Sequence, residues 1–229
     1  MSGPWMSSVR SNFEIGMKQG TRTKYYGHDW NPADFKIPVE PDEVHAAARK
    51  LSRGYPLRRE EFPEAEAVWN EKKFSKVGEI LYGGCFLAVR GNLAAILSRF
   101  DLGEGGLVPF PIYKADLVTP YGGDFFLLNL GARKNTILPE KCEDATKFYV
   151  DKDTKQQIWH INDFVRGGQI VLSSSALEGT DLWIEEAVHN KIFMSDALAT
   201  ALQEAGLAED WALQPCRIVK TGKMMGQAA

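Results

Sequence analysis

Residues 41–51, PDEVHAAARKL, place Val44, Ala47, Ala48 and Leu51 at i, i+3, i+4 and i+7, the spacing of one helix face. Proline opens the segment, acids fill its first turn, bases its last, and Gly54 follows. Each residue type suits the end of the helix at which it stands. A second helix is predicted to begin at Pro63 and run over residues 64–73, burying Ala65, Val68 and Trp69. Residues 13–40 have little periodicity. They carry Tyr25, Tyr26, His28 and Trp30, then Pro32, Pro38 and Pro41, the signature of an irregular or edge-strand segment wrapping a core. Residues ahead of about Phe13 read as a frayed end.

Apolar stretches then become short. Strands are predicted at residues 85–89, 107–113, 125–130, 147–150, 157–161, 169–173, 181–184, 191–194 and 217–219. Between two of them, Asp151-Lys-Asp-Thr154 has the composition of a hairpin turn. Helices set apart from a run of strands predict an α+β fold, mostly antiparallel sheet with a few short helices. The expected organisation is an N-terminal segment, residues 1–80, carrying two helices and packed on an α+β domain of residues 81–229, the two forming one continuous unit if no linker divides them.

Two stretches echo each other. Leu93, Ile96, Leu97 and Phe100 recur as Leu198, Ala201, Leu202 and Ala205 at a constant offset of 105 residues. Each set forms one helix face after an apolar strand, and each is followed by a leucine, Leu102 or Leu207, and a returning strand. Ser195 can cap the second helix and Gly206 can stop it. Arg90 stands where Ser195 would, so the first helix is expected to start later, at Asn92. Two related strand–helix–strand units are one reading and a chance likeness of common elements is the other. On both, these residues build core.

Hydrophobic residues make up 44% of the 229-residue chain and charged ones 25%, which excludes wholesale disorder. Cys85, Cys142 and Cys216 are odd in number and widely spaced, so a reducing compartment, the cytoplasm, is expected. No apolar run has membrane-spanning length. A net charge of −3 argues against a dedicated nucleic-acid binder, although Arg49, Lys50, Arg53, Arg58 and Arg59 form a local basic cluster. Residues 176–213 hold eight acids (Glu178, Asp181, Glu185, Glu186, Asp196, Glu204, Glu209, Asp210) against one base, Lys191. Such a run is a solvated face or a surface that meets a basic partner.

Candidate chemistry is sparse. His28, His45, His160 and His189 are scattered without metal-ligand spacing, so neither metal nor cofactor is expected. Ser173-Ser-Ser175 follows a strand without G-x-S-x-G, and the loop Gly103-Glu-Gly-Gly106 follows a helix instead of opening one. An acidic enzyme site remains the alternative. It would draw on Asp163 and Arg166 near Trp159 with Glu185, Glu186 and His160, although neighbouring carboxylates on a strand point to opposite faces. Interface residue types are plentiful, with six tryptophans and seven tyrosines.

The block Asp181-Leu-Trp183, then Ile192-Phe-Met-Ser-Asp-Ala-Leu198, Ala201-Leu202, Ala205-Gly-Leu207 and the apolar residues 213–219 resembles a bacterial immunity-protein family. These are small α+β proteins encoded beside polymorphic and type VI secretion toxins, a family long called a domain of unknown function. The likeness covers roughly residues 80–220, with residues 86–113 as an earlier related unit. It implies a non-enzymatic role in which the protein binds a cognate toxin and blocks it. The expected partner-binding residues are Asp181, Trp183, Glu185, Glu186, Glu209, Asp210 and Trp211, with Trp183 and Trp211 as aromatic anchors. Trp183 reads also as core, and better so than as an anchor.

Overall fold

The computed structural model describes residues 3–17, 19–32, 40–152, 154–163 and 169–220. Strand β1 (Trp5–Ser7) precedes helix α1 (Phe13–Met17) and strand β2 (Thr21–Lys24). Helix α2 (Asp42–Ser52) follows, then β3 (Ala65–Val68), the one-turn helix α3 (Glu71–Phe74), β4 (Ile80–Gly83) and β5 (Phe86–Arg90). Beyond helix α4 (Gly91–Leu97) run β6 (Gly106–Pro109), β7 (Ile112–Tyr113), β8 (Phe125–Asn129) and β9 (Arg133–Lys134). Next come β10 (Ala145–Val150), β11 (Gln157–Ile161), β12 (Ile170–Ser173), β13 (Leu182–Glu185) and β14 (Ile192–Met194). Helices α5 (Asp196–Glu204) and α6 (Ala208–Trp211) lead into β15 (Leu213–Val219). The fold is α+β, with mostly antiparallel sheets and few short helices, as the pattern predicted.

Two sheets follow one plan. In the first, the hairpin β4–β5 leads into α4, and β6 returns parallel to β5 with β8 between them, antiparallel to both. In the second, the hairpin β13–β14 leads into α5, and β15 returns parallel to β14 with β1 between them, antiparallel to both. The registers correspond residue for residue. Leu81 faces Ala88 as Trp183 faces Phe193, and Phe126 lies between Val89 and Pro109 as Trp5 lies between Met194 and Pro215. Even the turn into each helix is matched: Arg90 N donates to Glu79 O at 3.0 Å and Ser195 N to Asp181 O at 2.8 Å. The echo in the sequence is a structural repeat, a split strand–helix–strand unit built twice.

The copies differ in who supplies the middle strand and the cap. β8 lies within its own unit's stretch of chain, whereas β1 comes from the N-terminal end. The expected frayed end is therefore an inner strand, with Met6 fully buried. Helix α4 starts at Gly91, one residue before the expected Asn92, and the Glu79 carboxylate caps it by accepting from Asn92 N at 3.2 Å and Leu93 N at 2.6 Å. Ser195 caps α5 by accepting from Leu198 N at 3.2 Å. Gly206, at φ +71°, ends it in the left-handed region.

Two predicted elements are corrected. Residues 64–73 are not one helix: Ala65–Val68 is a strand paired with β2 and β7, and only Glu71–Phe74 is helical. All four residues of β3 are buried, so its apolar spacing mimicked a helix face. The predicted strand 107–113 divides between two sheets, β6 beside β8 and β7 beside β3. Pro109 and Pro111 lack the N–H that an unbroken ladder would need. The loop with Gly105 passes against Gly131 so closely that a methyl on either glycine would overlap the other strand's backbone.

The six-stranded sheet has a core on each side. Leu182, Ile184, Ile192 and Met194 face α4, α5 and the first unit. Met6, Trp183, Phe193 and Cys216 face a second cluster with Ile161, Ile170 and Leu172. Strand alternation produces this division directly. The first eighty residues contribute to both clusters, through Val44, Leu51, Val68 and Phe74 in one and Met6 in the other. Among the described residues, no helix is long and apolar enough to cross a membrane.

Candidate functional site

Three of the expected partner-binding residues are interior. Trp183 and Glu185 have no exposed surface, and Trp211 has 1%. The Glu185 carboxylate accepts from Trp183 Nε1 at 2.8 Å, Thr136 N at 2.7 Å, Ile137 N at 3.0 Å and the Thr136 hydroxyl. Lys134 Nζ lies 3.7 Å from the centre of the Trp183 ring and donates to the carbonyls of Ala176, Glu178 and Thr180. Burial holds that ammonium below its ordinary range, against the pull of Glu185 and Asp181. This cluster builds core; it cannot anchor a partner from where it sits.

The acidic run is also less of a surface than its charge suggested. Asp181 is half-buried and its side chain accepts from Asp101 N at 3.0 Å. Glu186 pairs with Arg133 at 3.1 Å, and Asp196 accepts from Trp5 Nε1 at 3.1 Å. Glu209 and Asp210 are exposed on α6, on a different element from Glu186. Alternating strand directions and separate helices disperse charges that are close in sequence.

What the fold does assemble is a cleft of about 430 Å³ that the acidic run does not dominate. Arg10 reaches it from the turn after β1, Arg49 from α2, Arg53 from the end of α2 and Arg133 from β9. Tyr55, Tyr149 and Ile158 line it as well. Arg53 pairs with Asp151, and Arg133 pairs with Glu186 while its guanidinium stacks 4.0 Å above Tyr55. Glu185 borders the cleft but is committed to its inner donors. Arg10 and Arg49 have no acidic partner among the described residues, and Arg10 Nη1 is buried without a hydrogen bond. Burial pulls the Arg10 guanidinium below its ordinary range. Burial, then the charge of Arg10, does the same to the His189 imidazole at the cleft's edge.

Beside the cleft stands the two-stranded antiparallel ribbon β10–β11, joined where the hairpin was predicted, with Asp153 of that turn outside the described residues. Val150, Tyr149 and Phe148 are 54%, 43% and 55% exposed. The register shifts between Lys147 and Tyr149, a bulge that leaves Phe148 unpaired in the ladder. Phe148 packs 4.9 Å from His189 and 5.3 Å from Tyr149, measured between ring centres. The pattern of residues 147–150 predicted a strand but not that its apolar side chains face outward.

The alternative acidic site does not assemble. Asp163 is bound by Lys191, which also donates to Ser8 Oγ at 3.0 Å. That ion pair, working against burial, holds the Asp163 carboxyl below the usual range. His160 packs tilted against Phe148, 5.9 Å between ring centres, on the ribbon, and neither His160 nor Asp163 borders the cleft with Glu185. Arg166 lies outside the described residues. Among the described residues, no group of three or more His, Cys, Asp or Glu is placed to hold a metal ion. Cys85, Cys142 and Cys216 are free thiols. No protein-family model matches this chain, and no curated protein matches it.

Proposed function

We propose that this protein is an immunity protein, which binds a cognate secreted toxin in the cytoplasm and neutralises it by contact alone. The observation that carries the proposal is the exposed Phe148-Tyr149-Val150 ribbon, of which Tyr149 also lines the arginine cleft. Solvent-facing aromatics next to arginines are the residue types that dominate binding energy when a partner excludes water from them. The resemblance of residues 80–220 to immunity proteins supports the same role, and three free thiols suit a reducing compartment.

The docking face differs from the acidic one expected from charge alone. The aromatic ribbon and the cleft rim are the contact surface in this proposal. Asp181, Glu186, Glu209 and Asp210 are left to steer encounter through their field, and Trp183, Glu185 and Trp211 to hold the scaffold. A stable complex on this face buries on the order of 1,600 Å² in total. The test is co-expression in host cells with the product of the adjacent gene. Wild type restores growth, whereas Phe148→Asp combined with Tyr149→Asp does not, although it accumulates to the same level. Equal rescue by both proteins would overturn the assignment of the face, and a harmless neighbour would overturn the role.

A further inference from the structure

We propose that the arginine cleft is a binding site for a phosphorylated small molecule of about nucleotide size. This role is separate from toxin binding and is tested with no partner protein present. A buried cation without an acceptor costs several kcal/mol unless something supplies the missing charge. Arg10 shares part of that cost, because the residue is half-buried and its Nη1 is enclosed and makes no hydrogen bond. Arg49 adds a second guanidinium without an acid among the described residues, while Arg53 and Arg133 border the same space. Arg10 offers an enclosed donor and Arg49 an exposed guanidinium beside the same space, so an anion with several oxygens, such as a diphosphate, can bond both where a single carboxylate does not. The planar fork of a guanidinium matches phosphate oxygens in a bidentate way.

Size and wall chemistry point to a small molecule. About 430 Å³ lies within the range of roughly 300–1,000 Å³ typical of small-ligand sites. Tyr55, Tyr149, His189 and Ile158 line the same cleft as the arginines and suit an uncharged ring attached to the phosphates. The inference thus rests on four guanidiniums from three parts of the chain, one buried donor without an acceptor, and the tyrosines that line the cleft with them.

Isothermal titration of the full chain at low salt, with ADP, pyrophosphate, inorganic phosphate and citrate, provides the test. ADP is expected to bind saturably at one per chain, pyrophosphate less tightly and inorganic phosphate least. Arg49→Ala, an exposed and fold-neutral change, weakens ADP on the order of tenfold. Arg10→Met abolishes binding while the melting temperature of the unliganded protein holds or rises, a split that a purely structural arginine would not give. No saturable binding of ADP or pyrophosphate, unchanged affinity in Arg49→Ala, or citrate binding as tightly as pyrophosphate would each overturn the proposal. So would single-stranded RNA binding that ADP does not displace.

Discussion

Among the buried carboxylates of the described residues, Glu185 and Glu66 have surroundings that give them different consequences. Glu185 receives four donors, among them the indole of Trp183. Replacing it by alanine strands those donors in the interior, with an expected loss of about 3 kcal/mol read as a shift in the urea midpoint. A shift under about 0.5 kcal/mol would mean that the cluster is not the structural element described. Glu66 is less well served. Gly84 N, Thr23 Oγ1 and Gln19 Nε2 approach it at 3.0, 3.3 and 3.4 Å. Burial outweighs these bonds and pushes its carboxyl from 4.5 up to about 7. Between those values the folded chain holds a proton that the unfolded chain has released. Stability is therefore lost as pH rises through this window, by about 3 kcal/mol in all. Glu66→Gln removes that loss, so the difference in unfolding free energy between variant and wild type should shift in the variant's favour by most of that amount, about 2 kcal/mol or more, from pH 5 to pH 8. A difference that stays constant with pH would contradict the assignment.

At the scale of elements, the repeat explains why the N-terminal end matters. Strand β1 is the counterpart of β8 and fills the gap between β14 and β15. Met6→Asp places a charge at a fully buried position of that strand, and is expected to cost more than about 4 kcal/mol and to unfold or aggregate the chain. Thermal melting of the soluble fraction checks this, and a melting temperature within a few degrees of wild type would contradict it. Much of this architecture was legible beforehand. Helix α2, the ribbon turn and the offset of 105 residues all rest on local periodicity and turn chemistry, which a sequence carries openly. β1 was not legible, because three residues hold no period and their partners lie at the far end of the chain. β3 was misread because a strand buried on both faces carries no alternation to set it apart from a helix face.

For the whole molecule, the candidate site was the least legible part. Arg49 and Arg53 were visible as bases near a helix end, where they also suit the dipole. Only the fold brings Arg10 and Arg133 to them and turns Phe148 and Tyr149 toward solvent beside the cleft. Conversely, both tryptophans of the conspicuous acidic run are core and half of its acids are bonded within the fold, while Glu178, Glu204, Glu209 and Asp210 stay exposed. The ribbon is tied to the scaffold through the bridge between Trp159 and Val188 and through Ile161 in the second core cluster, which limits the ordering cost of association. The most direct measurement is the affinity of the purified protein for the adjacent gene's product, by biolayer interferometry, for wild type and for Tyr149→Asp. The wild type should bind saturably and the variant about thirtyfold more weakly or worse at an unchanged melting temperature. Equal affinity for both proteins, or no association by the wild type, would contradict the account.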